Sequence, residues 1–156
     1  MSTRARPARS TDVPAAVREI AGACLAVRAR MVARALSAVY DRAMGELGLT
    51  ISQVNIMVSV GMMGPCSPGR VGRSLHMERS TMSRNLRRLL EQRLIAGEPA
   101  GSERLRSITI TPAGVRAIEK ALPLWRRAQD DARALLGQPG TGAILSLGDR
   151  LFAGAA

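Results

Sequence analysis

Between Glu78 and Gln92 the chain carries two faces of opposite chemistry. Met82, Leu86, Leu89 and Leu90 recur at three- and four-residue steps, the spacing of one helix face. Every ionisable side chain from Arg79 to Arg88 is an arginine, and the first acid comes only at Glu91. Solvated helix faces normally mix signs. A helix that is apolar on one side and purely cationic on the other points to a core and a polyanion at once.

The flanking sequence restricts the fold further. Ser67 followed by Pro68 is an N-cap with proline at the first helical position, and predicts a short helix to about His76 that buries Val71 and Leu75. Residues 94–99 and 106–111 read as two short strands, joined by a polar turn over 100–105 centred on Gly101 and Ser102. Upstream, Thr50 with Gln53 is a capping box. The helix it opens is expected to bury Val54, Ile56, Met57, Val60 and Met62. The loop that follows leaves Cys66 exposed on this reading. Thr111 and Pro112 open a long helix expected to bury Val115, Ile118, Leu122 and Trp125, to kink at Pro123, and to break over 137–142 before a last helix at 143–152. At the other end, Ile20, Cys24, Val27, Met31, Ala35, Val39 and Ala43 form a stripe that predicts one helix over 15–47, stopped by Gly48. Residues 1–12 are polar and basic and read as a disordered arm.

Helix, turn, helix, strand, turn, strand is the order of a winged helix-turn-helix. The expected fold is mainly α with a small β-hairpin wing: a winged helix-turn-helix over 49–112 between helical flanks at 13–48 and 113–156. With 156 residues, 46% hydrophobic and 2% aromatic, its core must be aliphatic. The net charge of +11 rests almost wholly on arginine, since Lys120 is the only lysine. Arginine forks phosphates and guanine edges, so duplex DNA is the expected partner. The helix over 78–92 is then the reader in the major groove. Ser80, Thr81 and Ser83 approach bases or phosphates, Arg84 forks a guanine, and Arg87 and Arg88 meet flanking phosphates. In the wing over 100–106, Arg104 and Arg106 reach the minor groove.

Other classes find little support. The basic start is not followed by an apolar run of export-signal type, and the weakly polar stretch 54–63 is too short to span a bilayer. Two cysteines, Cys24 and Cys66, make neither a disulfide framework nor a metal site, and a reduced, cytoplasmic protein fits them. Cys24 reads as a buried structural thiol. His76, the only histidine, reads as a turn residue. No nucleophile–base set or glycine-rich phosphate loop is visible, so neither an enzyme nor a bound cofactor is expected.

Over nearly its whole length the chain resembles MarR-family transcriptional regulators. The resemblance is carried by GLTISQVNIM from Gly48, ERSTMSRNLRRLLEQRLI from Glu78, ITITPAGVRAIEKALPLW from Ile108, and the helix CLAVRARMVARALSAVYDRAM. It implies a homodimer built from the flanks at 13–48 and 113–156, a pseudo-palindromic operator, and repression relieved by a small aromatic or apolar effector. The alternative is a constitutive or redox-responsive DNA-binding protein without such a ligand. The chain departs from the family pattern at four places. Ser102 replaces the aspartate before the wing arginine, His76 and Arg93 replace glycines on either side of the reading helix, and Gly97 replaces a strand arginine.

Overall fold

The computed structural model describes residues 13–101 and 105–152. Its elements are α1 (Ala15–Ala23), α2 (Leu25–Met44), α3 (Ile51–Met63), α4 (Pro68–Ser74), α5 (Arg79–Glu91), β1 (Ile95–Pro99), β2 (Leu105–Ile110) and α6 (Pro112–Phe152), with a 3-10 turn at Gly45–Leu47. The arm expected over 1–12 lies outside the described residues. The chain divides into two compact units between Leu36 and Ser37, partway along α2.

In the first unit the helix expected over 15–47 is interrupted. Cys24 takes an extended conformation (φ −68°, ψ 105°) and separates α1 from α2. Gly22, weak in a helix interior, precedes the break. Arg28 then donates to the Gly22 carbonyl at 2.9 Å, satisfying an acceptor that the interrupted helix leaves open. No residue of α1 is buried. Val17, Ile20, Leu25 and Met31 are exposed in the single chain, and Cys24 is half-buried rather than part of a core.

The second unit holds an aliphatic core of Met44, Leu49, Val54, Ile56, Met57, Val60, Cys66, Val71, Met82, Leu86, Leu89, Ile95, Ile108, Ala121 and Leu124. The expected capping box is present: Gln53 N–H donates to Thr50 Oγ1 and Thr50 N–H to Gln53 Oε1. Asp41 Oδ1 accepts from Ile51 N–H at 2.7 Å, so the positive end of α3 meets a carboxylate from α2. Met62, expected inside, is 85% exposed. The buried positions Gln53, Ile56, Met57 and Val60 follow helical spacing, and Met62 falls on the far side of that stripe.

The long helix α6 differs more. Its buried stripe is Ala121, Leu124, Ala128 and Ala132, whereas Val115, Leu122 and Trp125 are exposed and Ile118 is half-buried. Ala121 and Leu124 join the core cluster that α3 lines, while the Tyr40 hydroxyl of α2 donates to Gln129, beside Ala128. Pro123 removes one hydrogen bond but leaves helical dihedrals. The departure lies at Gly137 (φ 66°, ψ 172°), within the stretch expected to break.

Strands β1 and β2 pair antiparallel from Ile95↔Ile110 to Glu98↔Ser107. Pro99 then pairs with Leu105, and the bulge leaves Arg106 without a ladder partner. Cys66 exchanges two backbone hydrogen bonds with Ile108, at 3.2 and 2.8 Å, and is 5% exposed. The loop expected to expose it is thus drawn onto the hairpin as a short third pairing.

Three helix ends share one geometry. Gly48, His76 and Arg93 all hold left-handed backbone, with φ of 66°, 47° and 57°. At His76 and Arg93 the amide pairs close the helix as a Schellman motif. Met77 N–H meets Gly72 O and His76 N–H meets Arg73 O; Leu94 N–H meets Leu89 O and Arg93 N–H meets Leu90 O. The positions that depart from the family's glycines are therefore the ones that need positive φ. Next to Arg93, the Leu94 carbonyl accepts from Thr111 N–H at 3.1 Å and Thr111 Oγ1 at 3.0 Å. Thr111 Oγ1 also caps Gly114 N–H at 3.0 Å.

Two outcomes follow for stability. A Cβ at Gly114 would stand 2.1 Å from the Leu94 carbonyl oxygen. Gly114→Ala therefore lowers unfolding free energy by about 3 kcal/mol in urea melts. Arg93→Gly removes a Cβ from left-handed backbone and raises stability by about 0.5–1 kcal/mol, since the strain relieved slightly exceeds glycine's entropy cost. A lower melting temperature for Arg93→Gly would contradict that account.

Candidate nucleic-acid interface

Met82, Leu86 and Leu89 anchor α5 in the core and fix which side faces outward. Ser80, Ser83, Arg84, Arg87 and Arg88 are exposed on that side, and Thr81 is half-buried at its edge. The structure thus brings together six of the eight residues expected at the site. Arg106 is exposed on β2, at the bulge, apart from the α5 strip. Arg104, with Ser102 and Glu103, lies outside the described residues.

Three cations were missed by sequence reasoning. Arg73 of α4 and Arg79 at the start of α5 line an open groove of about 1470 Å³ that also takes in Ser83 and Arg87. Gly69 and Gly72 keep the α4 side of this groove low. Arg70 is exposed at the first turn of α4, where Ser67 Oγ caps its amide at 3.4 Å. Arg79 stood in the one-signed run and could have been included on that signal. Arg70 and Arg73 carried none, because a seven-residue helix shows too little periodicity to orient a face.

The ion pairs among the described residues are Arg127 with Glu46 at 3.5 Å and Arg133 with Asp130 at 3.7 Å. None involves an arginine of α4 or α5. Among the described residues, therefore, no ion pair cancels their positive potential, although Glu78 and Glu91 border the groove. Arg84 is tethered in another way: its Nη2 donates to Thr81 Oγ1 at 3.2 Å, and Asn85 Nδ2 donates to the Thr81 carbonyl at 3.0 Å.

The remaining sequence candidates hold other positions. Burial pushes the Cys66 thiol above its ordinary pKa, only partly offset by nearby Arg70. That lowers its thiolate population and so its reactivity. His76 sits in the turn between α4 and α5. Among the described residues no group of three His, Cys, Asp or Glu side chains is placed to hold a metal ion, and no helix is long and apolar enough to cross a membrane. Gly97, where the resemblance places an arginine, lies under Leu105. A Cβ there would come within 2.8 Å of a Leu105 methyl, so a larger residue requires Leu105 to move.

Comparison with known proteins agrees with this fold. The MarR family model matches residues 47–104, which take in α3, α4, α5 and β1. A comparison with curated protein sequences returned no match. Among solved structures, the Mycobacterium tuberculosis transcriptional regulator MosR is 30% identical with a TM-score of 0.68, the match covering 83% of this chain and 96% of MosR. MosR in complex with DNA is matched at 28% identity and a TM-score of 0.66, over 84% of this chain and 98% of that one. Bordetella bronchiseptica BpsR, whose DNA binding is regulated by 6-hydroxynicotinic acid, shares the fold at 20% identity and a TM-score of 0.68, over 81% and 97% of the two chains. The chain belongs to the MarR family of transcriptional regulators.

Proposed function

We propose that this regulator is a homodimeric, sequence-specific DNA-binding repressor that a small molecule releases from its operator. The observation that carries the reading is the outward strip of α5, where Ser80, Ser83, Arg84, Arg87 and Arg88 stand exposed with no ion pair to an acid among the described residues. Residues 49–112 form the DNA-binding domain. Each α5 enters a major groove, with Arg84 forking a guanine and Arg87 and Arg88 on phosphates. Arg70, Arg73 and Arg79 extend the phosphate contacts across the α4–α5 groove. The hairpin reaches the adjacent minor groove through Arg104 and Arg106.

Residues 13–48 and 113–156 supply the dimer interface. Exposed apolar side chains support this in each segment: Val17, Ile20, Leu25 and Met31 in α1 and α2, and Leu122, Leu135, Leu145 and Leu151 in α6. Uncovered apolar surface on this scale marks an interaction site. A two-fold dimer sets its two α5 helices about one DNA turn apart, so the operator is a pseudo-palindrome. A small aromatic or apolar effector acts by binding one spacing of the readers better than the other and so shifting the population. The protein works in the cytoplasm, where its DNA lies, and regulates without catalysis. A redox-driven alternative gains nothing from Cys66, which is buried and held protonated.

Selection of duplexes from a random library with purified protein tests the reading; recovery of a pseudo-palindromic motif supports it, and uniform recovery of all sequences defeats it. On the selected duplex, Arg84→Ala costs about 1–3 kcal/mol and relaxes preference at one base pair per half-site. Arg87→Ala weakens selected and random duplexes alike. It also makes the slope of log affinity against log salt shallower by about 1 for each phosphate left without its arginine. A change in base preference for Arg87→Ala would move that residue from phosphate to base.

A further inference from the structure

Of the arginines on α4 and α5, Arg84 is the one whose guanidinium is bonded to the protein among the described residues. Its anchor is Thr81, one turn back on α5 and half-buried where Arg84 is exposed. The anchor is itself held. β-Branching restricts the Thr81 side chain in a helix; Asn85 Nδ2 donates to the Thr81 backbone carbonyl at 3.0 Å and leaves Oγ1 to Arg84. A solvated arginine has many rotamers to lose when it forks a base, whereas one already hydrogen-bonded along its own helix has fewer.

We infer that Thr81 is a positioning residue for base readout, setting the direction of the Arg84 fork without itself touching the DNA. This revises the sequence expectation that Thr81 meets bases or phosphates, and it rests on the reading of Arg84 as a base contact. Ser80 and Ser83 keep their direct roles because they lie exposed on the outward side. Restraint of a reading side chain favours the matching base pair over its competitors more than it favours DNA over solvent. Its loss therefore appears as lost selectivity.

The test compares Thr81→Val, which keeps the branched shape and removes the acceptor, with Thr81→Ser, which keeps the acceptor. Binding is measured to the duplex selected from a random library, to the same duplex altered at the base pair where Arg84→Ala relaxes preference, and to a random duplex. Thr81→Val should lower discrimination at that pair roughly five- to tenfold, with affinity for random DNA, salt slope and melting temperature unchanged. Thr81→Ser should retain most of the discrimination. Thr81→Val combined with Arg84→Ala should behave as Arg84→Ala alone, since both act through one contact. Equal weakening on all three duplexes by Thr81→Val, or loss by Thr81→Ser as large as by Thr81→Val, overturns the positioning role while leaving Arg84 a reader. Unchanged preference at every position in Arg84→Ala overturns the Arg84 reading and this inference with it.

Discussion

The Leu94 carbonyl, set into the first turn of α6, is the join on which the second unit turns. It accepts from both the amide and the hydroxyl of Thr111, and Gly114 leaves it room. Thr111 Oγ1 also lies 2.8 Å from the Arg93 carbonyl. One threonine thus caps α6 and holds the residues that close α5. The end of the candidate reading helix and the start of the long C-terminal helix are fastened at one point. If the C-terminal helix carries the dimer, a change in dimer spacing has a short mechanical route to the DNA-facing strip.

The same join explains how an arginine can occupy a glycine's conformation. Arg93 is held at φ 57° by two amide bonds behind it and by the Thr111 contact ahead, and His76 at φ 47° by an equivalent pair at the end of α4. Left-handed backbone costs an L-residue about 1–2 kcal/mol. Both strained residues flank α5, so the unit spends stability at the two corners that orient its reader. What Arg93 adds there is one more cation on an already basic unit, which is a gain only if the partner is an anion.

Legibility in the sequence tracked the range of the interaction. Thr50 with Gln53, Ser67 with Pro68, and Thr111 with Pro112 were readable because each satisfies its backbone within about four residues. The outward face of α5 was readable because its apolar and cationic sides separate cleanly. The buried face of α6 was not. Val115, Leu122 and Trp125 outweigh Ala121, Ala128 and Ala132 in hydrophobicity, yet the alanines are the buried ones, since fit against neighbouring elements, not hydrophobicity along the helix, decides which face is covered. Cys66 was misplaced for a like reason: its partner, Ile108, lies 42 residues on. Cys24 marks a break that no helix-stopping residue announces at that position.

The inverted burial of α6 bears on the division of labour. A chain that packs its small residues inward keeps Leu122, Trp125 and Leu135 outside at an energetic cost unless something covers them. Covering them with a second copy fixes two α5 strips in a set relation, and specificity then depends on that spacing as well as on each reader. On the proposed reading the helix supplies base discrimination, through Arg84 held from Thr81 and a surface where, among the described residues, Glu78 and Glu91 stand at the margins. The hairpin presents Arg106 from a bulge, where it has no ladder partner across β1. A cation on such a mount gains electrostatic energy from any narrow groove and little from one particular base, so on the proposed reading the hairpin would add affinity while α5 selects the site.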